Sequence, residues 1–247
     1  MKVSVITVCY NSQNTIELTI NSVLGQNYTD VEYIIVDGRS TDNTVEIIKK
    51  YENKLSHFIS ENDNGIYDAM NKGIRLATGD IIGILNSDDV FYNNKIISNI
   101  VQAVKISNAD CVYGNIVYFK NDLEEVNRVW RTSQFYNGFF ESGKMPPHPA
   151  LFVKKVVYDK IGLFRTDFKV AADQEFMIRM LKKHKHSAYF VDQFFVRMRL
   201  GGASTSGIKS YLLSTKEIKK AWSVNNYHYP FWLYILRPII KIRQLRF

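Results

Sequence analysis

The first 90 residues alternate between short β-branched runs and segments with a helical apolar repeat, and few folds accept that alternation. Lys2–Val8, Val31–Val36, His57–Ser60 and Ile81–Leu85 read as strands. Between them, Thr15–Gln26 places Ile16, Ile20, Val23 and Leu24 on one helical face. A second helix runs to Lys50 with Val45 and Ile48 inward, and Ile66–Leu76 reads as a third. Ser12 or Asn14 is the expected N-cap of the first helix, and Thr41 or Asp42 that of the second. Such alternation predicts an α/β fold with a parallel, doubly wound sheet and right-handed crossovers. Ligands of these sheets bind beyond the carboxyl ends of the strands. Tyr10-Asn11, Asp37 and Asn86-Ser87-Asp88-Asp89 follow three of those strands, so the topology is expected to gather them in one crevice.

The second half is less regular. Asn94–Ser107, Val156–Ile161 and Asp173–Lys183 read as helices; Asp110–Tyr118, Val126–Arg131, Ala150–Val153 and Ala188–Val191 read as strands. No repeat, low-complexity segment or linker divides the 247 residues, which favours one domain over 1–205 with an extension over 206–247.

The net charge of +8 is unevenly placed. Ten Lys and Arg against Glu217 alone give Phe194–Phe247 a charge of +9 and leave the first 193 residues at −1. A nucleic-acid partner would have to rest on the tail, and none is expected. Two cysteines, Cys9 and Cys111, form neither a disulfide framework nor a metal cluster, and suit burial in a reducing cytosol. The segment MKVSVITVCYNS is too short and too polar at its end for a signal peptide, so export is not expected. No run of about 18 apolar residues predicts a membrane-spanning helix.

Several residues can carry chemistry. Asp88 and Asp89 either cap a helix and stand exposed, or present carboxylates to a hard cation, Mg2+ or Mn2+, at the ligand edge of the sheet. No His or Cys cluster accompanies them, which disfavours zinc. Asp37 is a turn residue before Gly38 or an acceptor for a nucleobase or ribose. Asp173 is an N-cap or a general base reached past Ala171 and Ala172. His148 is held between prolines, and Gly202 lies in a small-residue loop that closes over phosphates or is merely flexible. The chain has no Gly–Lys–Ser/Thr phosphate loop and no G-x-G-x-x-G after the first strand, against an ATPase or an ordinary dinucleotide dehydrogenase.

SVITVCYNS, IIVDGRSTDNT, ENDNGIYDAMNKGIRLATGD, ILNSDD and AADQEFMIRM occur in that order. Together they resemble the family 2 glycosyltransferases of the GT-A fold, most closely bacterial enzymes of polysaccharide or lipid-linked oligosaccharide synthesis. The resemblance spans roughly residues 2–205. It implies a nucleotide-sugar half over about 1–92, an acceptor half over about 93–205, and inverting transfer from a nucleotide-diphosphate sugar, a UDP-sugar by preference. Tyr10 and Asn11 then lie on the nucleobase side, Asp37 matches the acid that contacts the base, and Asp68, Asn71 and Lys72 lie in the stretch lining the nucleotide pocket. Asn86-Ser87-Asp88 falls on the family's D-x-D, so the metal is expected on Asp88 with Asp89 beside it, and Asp173 aligns with the catalytic base. His148 and Gly202 are candidate substrate contacts. Asn86 departs from the family in replacing an acid, as does Ala172 before the base, and Arg39 stands where a small or acidic residue is usual. The implied partners are the nucleotide-sugar donor and a glycan or polyprenyl-linked acceptor, with a homo-oligomer left open. A sugar nucleotidyltransferase is the competing enzyme class, although CYNSQNT lacks its Gly-rich basic loop; a catalytically inactive nucleotide-sugar-binding module is the other alternative.

The tail, YHYPFWLYILRPIIKIRQLRF, has two readings. It is a terminal helix packed on the domain, or a basic, aromatic segment for the anionic inner face of the cytoplasmic membrane, bent at Pro238.

Overall fold

A computed structural model describes residues 1–201 and 207–244. The expected strands form: β1 (Val3–Cys9), β2 (Val31–Asp37), β3 (His57–Ser60) and β4 (Ile81–Ile84) lie in the order β3-β2-β1-β4, all parallel. The helices α1 (Ile16–Leu24), α2 (Thr44–Lys49) and α3 (Ile66–Leu76) connect them. Central β1 is buried along its whole length, as both faces of a parallel sheet are covered. Its side chains alternate: Ile6 and Val8 enter one core, Val3, Val5 and Cys9 the other. On the first face α3 approaches so closely that a Cβ on Gly73 would collide with Ile6.

Beyond β4 the sheet is mixed. The short β5 (Val90–Phe91) and α4 (Ile96–Ser107) lead to β6 (Cys111–Phe119), β7 (Arg128–Trp130), β8 (Leu151–Lys154), α5 (Lys155–Ile161), α6 (Ala172–Met177) and β9 (Ala188–Arg199). β8 joins β4 to β6 antiparallel, β6 runs parallel to β9, and β5 and β7 pair antiparallel with β9 and β6. α6 continues as a π-helical turn over Ile178–Lys183.

Two expectations need correction. Neither Ser12 nor Asn14 caps α1, whose N-cap position is Thr15; the Ser12 hydroxyl meets that of Ser87 instead, 2.8 Å away. β9 extends to Arg199, because pairing with β6 and β5 carries it past the polar Asp192 and Gln193. The segment after 206 packs on the domain, which is one of the two readings of the tail. α7 (Gly207–Val224) buries Ile218, Ala221 and Trp222, and α8 (Leu233–Arg243) runs through Pro238 with Leu233 buried. Losing a fully buried Trp of this kind costs about 3–5 kcal/mol. No helix among the described residues is long and apolar enough to cross a membrane.

Candidate functional site

A cavity of about 910 Å³ opens beyond the carboxyl ends of β1 and β4. Tyr10, Asn11, Asn86, Ser87, Asp88, His148 and Asp173 all line it, although they span more than 160 positions of sequence. Tyr10 is 61% exposed, leaving its ring face open. Asn11 adopts the left-handed conformation (φ 49°), and its side-chain oxygen accepts the Thr41 N–H at 2.9 Å, tying the loop after β1 to the loop after β2.

The loop after β4 also lines the cavity. Asn86 Nδ2 donates to Asp89 at 3.1 Å, whereas Asn86 Oδ1 is buried without a partner. A buried oxygen left unbonded costs about 1–3 kcal/mol unless a ligand satisfies it. Burial pushes the Asp88 carboxyl up, and the nearby Arg199 charge opposes that rise. Asp89 is fully buried and lies behind the cavity rather than on it. Its carboxylate accepts from Asn86 and from the Arg199 N–H at 3.2 Å, and burial together with the Asp88 charge raises its pKa well above the usual range. The two adjacent acids thus sit in different settings: Asp88 faces the cavity, while Asp89 is sequestered, where hydrogen bonds from Asn86 and the Arg199 N–H offset part of its burial. Of the expected metal pair, only Asp88 reaches the cavity.

On the far side, α6 presents Asp173, whose Oδ1 accepts the Tyr67 hydroxyl of α3 at 3.1 Å. Burial and the Asp173 charge raise the Tyr67 hydroxyl well above its ordinary value, so it stays a donor. His148 is half-buried, its ring near-perpendicular to that of Phe164 and its buried Nε2 without a partner. Burial lowers its pKa and the Asp173 charge works against that, leaving a neutral imidazole at neutral pH. Sequence reasoning missed Glu217. From α7 it accepts the backbone N–H groups of Lys169, Val170 and Ala171 at 2.8, 2.8 and 3.0 Å, fixing the loop that delivers Asp173. Its one signal was being the sole acid of a basic stretch.

Four expected contacts lie off the cavity wall. Asp37 is fully buried and spends its oxygens on Ser40, the Ser60 hydroxyl and the Cys9 thiol; the cavity edge near Gly38 carries Asp63 instead. Asn71 is buried and exchanges hydrogen bonds with the Phe164 carbonyl (2.8 Å) and N–H (2.9 Å), a clamp between the two halves. Asp68 accepts the Asn64 N–H at 3.0 Å, and Lys72 holds the Asn62 carbonyl and Glu61, so both secure the loop before α3. Gly202 lies outside the described residues. Cys9 and Cys111 are free and buried, as expected.

The C-terminal wall of the cavity is α8. Arg237, Ile240, Lys241 and Gln244 line it, facing Arg128 and Trp130 of β7. The Gln244 side chain accepts from Arg128 Nε at 2.9 Å, and its carbonyl accepts the Val129 N–H at 2.9 Å. At the other end Trp232 Nε1 donates to the Glu141 carbonyl at 2.9 Å. Ile240 lies against Gly143, whose positive φ (77°) and missing side chain allow the approach. The opposite face of α8 is open: Phe231, Ile235 and Ile242 are 76%, 68% and 59% exposed, with Ile239 beside them.

The profile described as Glycosyl transferase family 2 matches residues 4–169. An uncharacterised glycosyltransferase of Mycobacterium tuberculosis is 33% identical over 211 residues, covering 85% of this chain and 77% of the relative. A PGL/p-HBAD biosynthesis glycosyltransferase of the same organism is 28% identical, covering 71% and 68%. Among solved structures, residues 1–349 of S. aureus TarS in complex with UDP-GlcNAc match with a TM-score of 0.71 at 20% identity. The match covers 91% of this chain, which spans 65% of that TarS segment. The mannosyltransferase PcManGT of Pyrobaculum calidifontis, in complex with GDP-Man and Mn2+, gives a TM-score of 0.67 at 19% identity, covering 97% of this chain and 69% of that one. The profile takes in every strand from β1 to β8, and the chain therefore belongs to glycosyl transferase family 2, on the GT-A fold.

Proposed function

We propose that the chain moves a sugar from a nucleotide-diphosphate sugar, a UDP-sugar in the first instance, to a hydroxyl of a glycan or polyprenyl-linked acceptor in cell-surface polysaccharide synthesis, with inversion. The observation that carries this reading is that Asp88 and Asp173, from opposite halves of the chain, line one cavity together with Tyr10. Structural neighbours bound to UDP-GlcNAc and GDP-Man support the donor class.

In this reading the open ring of Tyr10 stacks on the nucleobase, and Asn11 and Ser87 bond the nucleoside. Mg2+ or Mn2+ fits the donor set: the Asp88 carboxylate and the unpartnered Asn86 Oδ1 are hard oxygens at the cavity, and such ions complete their shell with water and phosphate oxygens. When bound, the ion supplies Lewis-acid neutralisation of the leaving diphosphate. Arg199 adds a fixed positive charge beside Asp88. Asp173 takes the proton of the attacking hydroxyl as the new glycosidic bond forms and the C1–O bond to the diphosphate breaks. Tyr67 orients the Asp173 carboxylate, and His148 Nε2 is the free polar atom for the acceptor hydroxyl. A single displacement inverts the anomeric centre without an enzyme nucleophile.

The open face of α8 extends the proposal to location. Its apolar residues, with the exposed Arg243 beside them, suit peripheral association with the anionic cytoplasmic face of a membrane, where lipid-linked acceptors reside.

A thermal-shift screen of UDP- and GDP-sugars, with and without Mn2+, tests the donor reading, since a ligand of the native state raises Tm. One nucleotide sugar is expected to raise Tm more with Mn2+ than without. A screen in which none does so removes the proposal.

A further inference from the structure

The cations of the cavity outnumber its acids. Among the described residues seven Lys and Arg line it, against Asp63, Asp88 and Asp173. The diphosphate of a sugar nucleotide paired with one divalent ion is close to neutral, so the donor leaves most of this surplus unanswered. Arg199, beside Asp88, is the cation placed for that diphosphate.

The surplus concentrates on the opposite wall, where Arg128 of β7 meets Arg237 and Lys241 of α8. Among the described residues none of the three has a carboxylate within ion-pair distance. Arg128 is held flat, its guanidinium 4.5 Å from the Tyr118 ring centroid and its Nε donating to Gln244. With Nε and one terminal nitrogen both donating to Gln244 Oε1, the guanidinium is fixed in place and its other terminal nitrogen is left for an oxyanion. The Lys241 ammonium lies 5.6 Å from the Tyr211 ring centroid. Lys241 is exposed overall, yet desolvation of its ammonium, with the charges of Arg237 and Arg128, pushes it below the ordinary lysine range. Like charges gathered without a counter-ion repel one another, and an anion between them reverses the sign of that interaction.

We propose that Arg128, Arg237 and Lys241 form a phosphate site for the acceptor, so that the hydroxyl offered to Asp173 belongs to a phosphorylated molecule. This rests on the glycosyltransferase reading and names its acceptor class. The phosphate belongs either to a lipid carrier, which the apolar outer face of α8 suits, or to a soluble phosphorylated sugar.

Calorimetric titration of the full chain, saturated with UDP or GDP and Mn2+, separates these ideas. Farnesyl phosphate and glucose 1-phosphate are the two probes, with farnesol as the uncharged control. At least one phosphate is expected to bind the nucleotide-loaded protein while farnesol does not, and the better probe identifies the source. The Arg237→Gln/Lys241→Gln variant is expected to bind that phosphate at least tenfold more weakly and the nucleotide within twofold of wild type. Lys241→Arg is expected to retain phosphate binding. Equal losses of nucleotide and phosphate in the double variant would assign the trio to the donor and overturn the proposal, with the family activity left standing. Equal binding of farnesol, or no phosphate binding by the loaded wild type, overturns it too. A wild type that takes neither nucleotide removes the donor reading itself, and this proposal with it.

Discussion

The Tyr67 hydroxyl donates to the Asp173 carboxylate across 3.1 Å, joining α3 to α6, 106 positions apart in sequence. Asp173→Asn keeps this geometry and removes the proposed base. Transfer is expected to fall about 10²–10⁴-fold with nucleotide binding unchanged. Tyr67→Phe leaves the base and frees its orientation, so kcat should fall about tenfold with the donor KM near wild type. Steady-state kinetics with titrated nucleotide binding decide both; full activity in Asp173→Asn refutes its role as base.

Asn86 and Asp88 separate by the same logic. Asp88→Ala is expected to abolish the Mn2+-dependent part of the nucleotide Tm shift. Asn86→Asp supplies a charged oxygen where the unpartnered Oδ1 now sits, and should strengthen Mn2+ binding modestly with transfer retained. Thermal shift against Mn2+ concentration reads both, and an unaltered Mn2+ response in Asp88→Ala overturns the assignment.

Glu217 acts at a distance from the chemistry. In Glu217→Ala three backbone N–H groups lose their acceptor, at about 1–3 kcal/mol for each that stays buried. Tm should fall, and among molecules still folded kcat should drop more than nucleotide affinity, because Asp173 follows that loop. Kinetics below the transition, with calorimetry, check this; a loss of affinity equal to the loss of kcat shows a general collapse instead.

Acid stability should report Glu32. Burial raises its pKa, but hydrogen bonds from Ser4, Thr78 and Lys2 outweigh burial and hold the carboxyl at about 2, against 4.5 for the free group. The folded pKa is depressed, so this contribution is fully present above pH 4.5 and is lost as pH falls towards 2, on the order of 3 kcal/mol. Urea unfolding over that window should be flatter in Glu32→Gln than in wild type.

The outer face of α8 is tested without disturbing its inner one. Ile235→Ser with Ile239→Ser is expected to reduce co-sedimentation with vesicles of anionic lipid at least fivefold while the nucleotide Tm shift persists. Unchanged sedimentation removes the membrane part of the proposal. Deleting the tail is the poorer experiment, because Arg237, Lys241 and Gln244 belong to the cavity wall.

What the sequence disclosed follows from the range of each force. β3 and α3 have the bounds their patterning predicts, His57–Ser60 and Ile66–Leu76, since apolar periodicity is written locally. The strand-end rule likewise brought Tyr10, Asn86 and Asp88 to one cavity. Asp37 and Asn71 read as pocket residues because their own segments cannot show that Ser60 and Phe164 occupy them. Asp89 is indistinguishable from Asp88 in a string of letters; only tertiary burial separates their settings. α8 as a wall was illegible for the same reason, since its partners Arg128 and Gly143 lie about a hundred positions away.

One consequence of the two-faced α8 reaches beyond this cavity. The proposed nucleotide-sugar contacts lie along the sheet edge, whereas the opposite wall hangs on a few attachments: Trp232 to Glu141, Ile240 at Gly143, and Gln244 to Arg128 and Val129. Reaction and clientele are therefore built from different stretches of chain. If the proposed roles hold, a graft of residues 230–244 is expected to change which acceptor is admitted and which surface is visited while the proposed donor contacts stay in place.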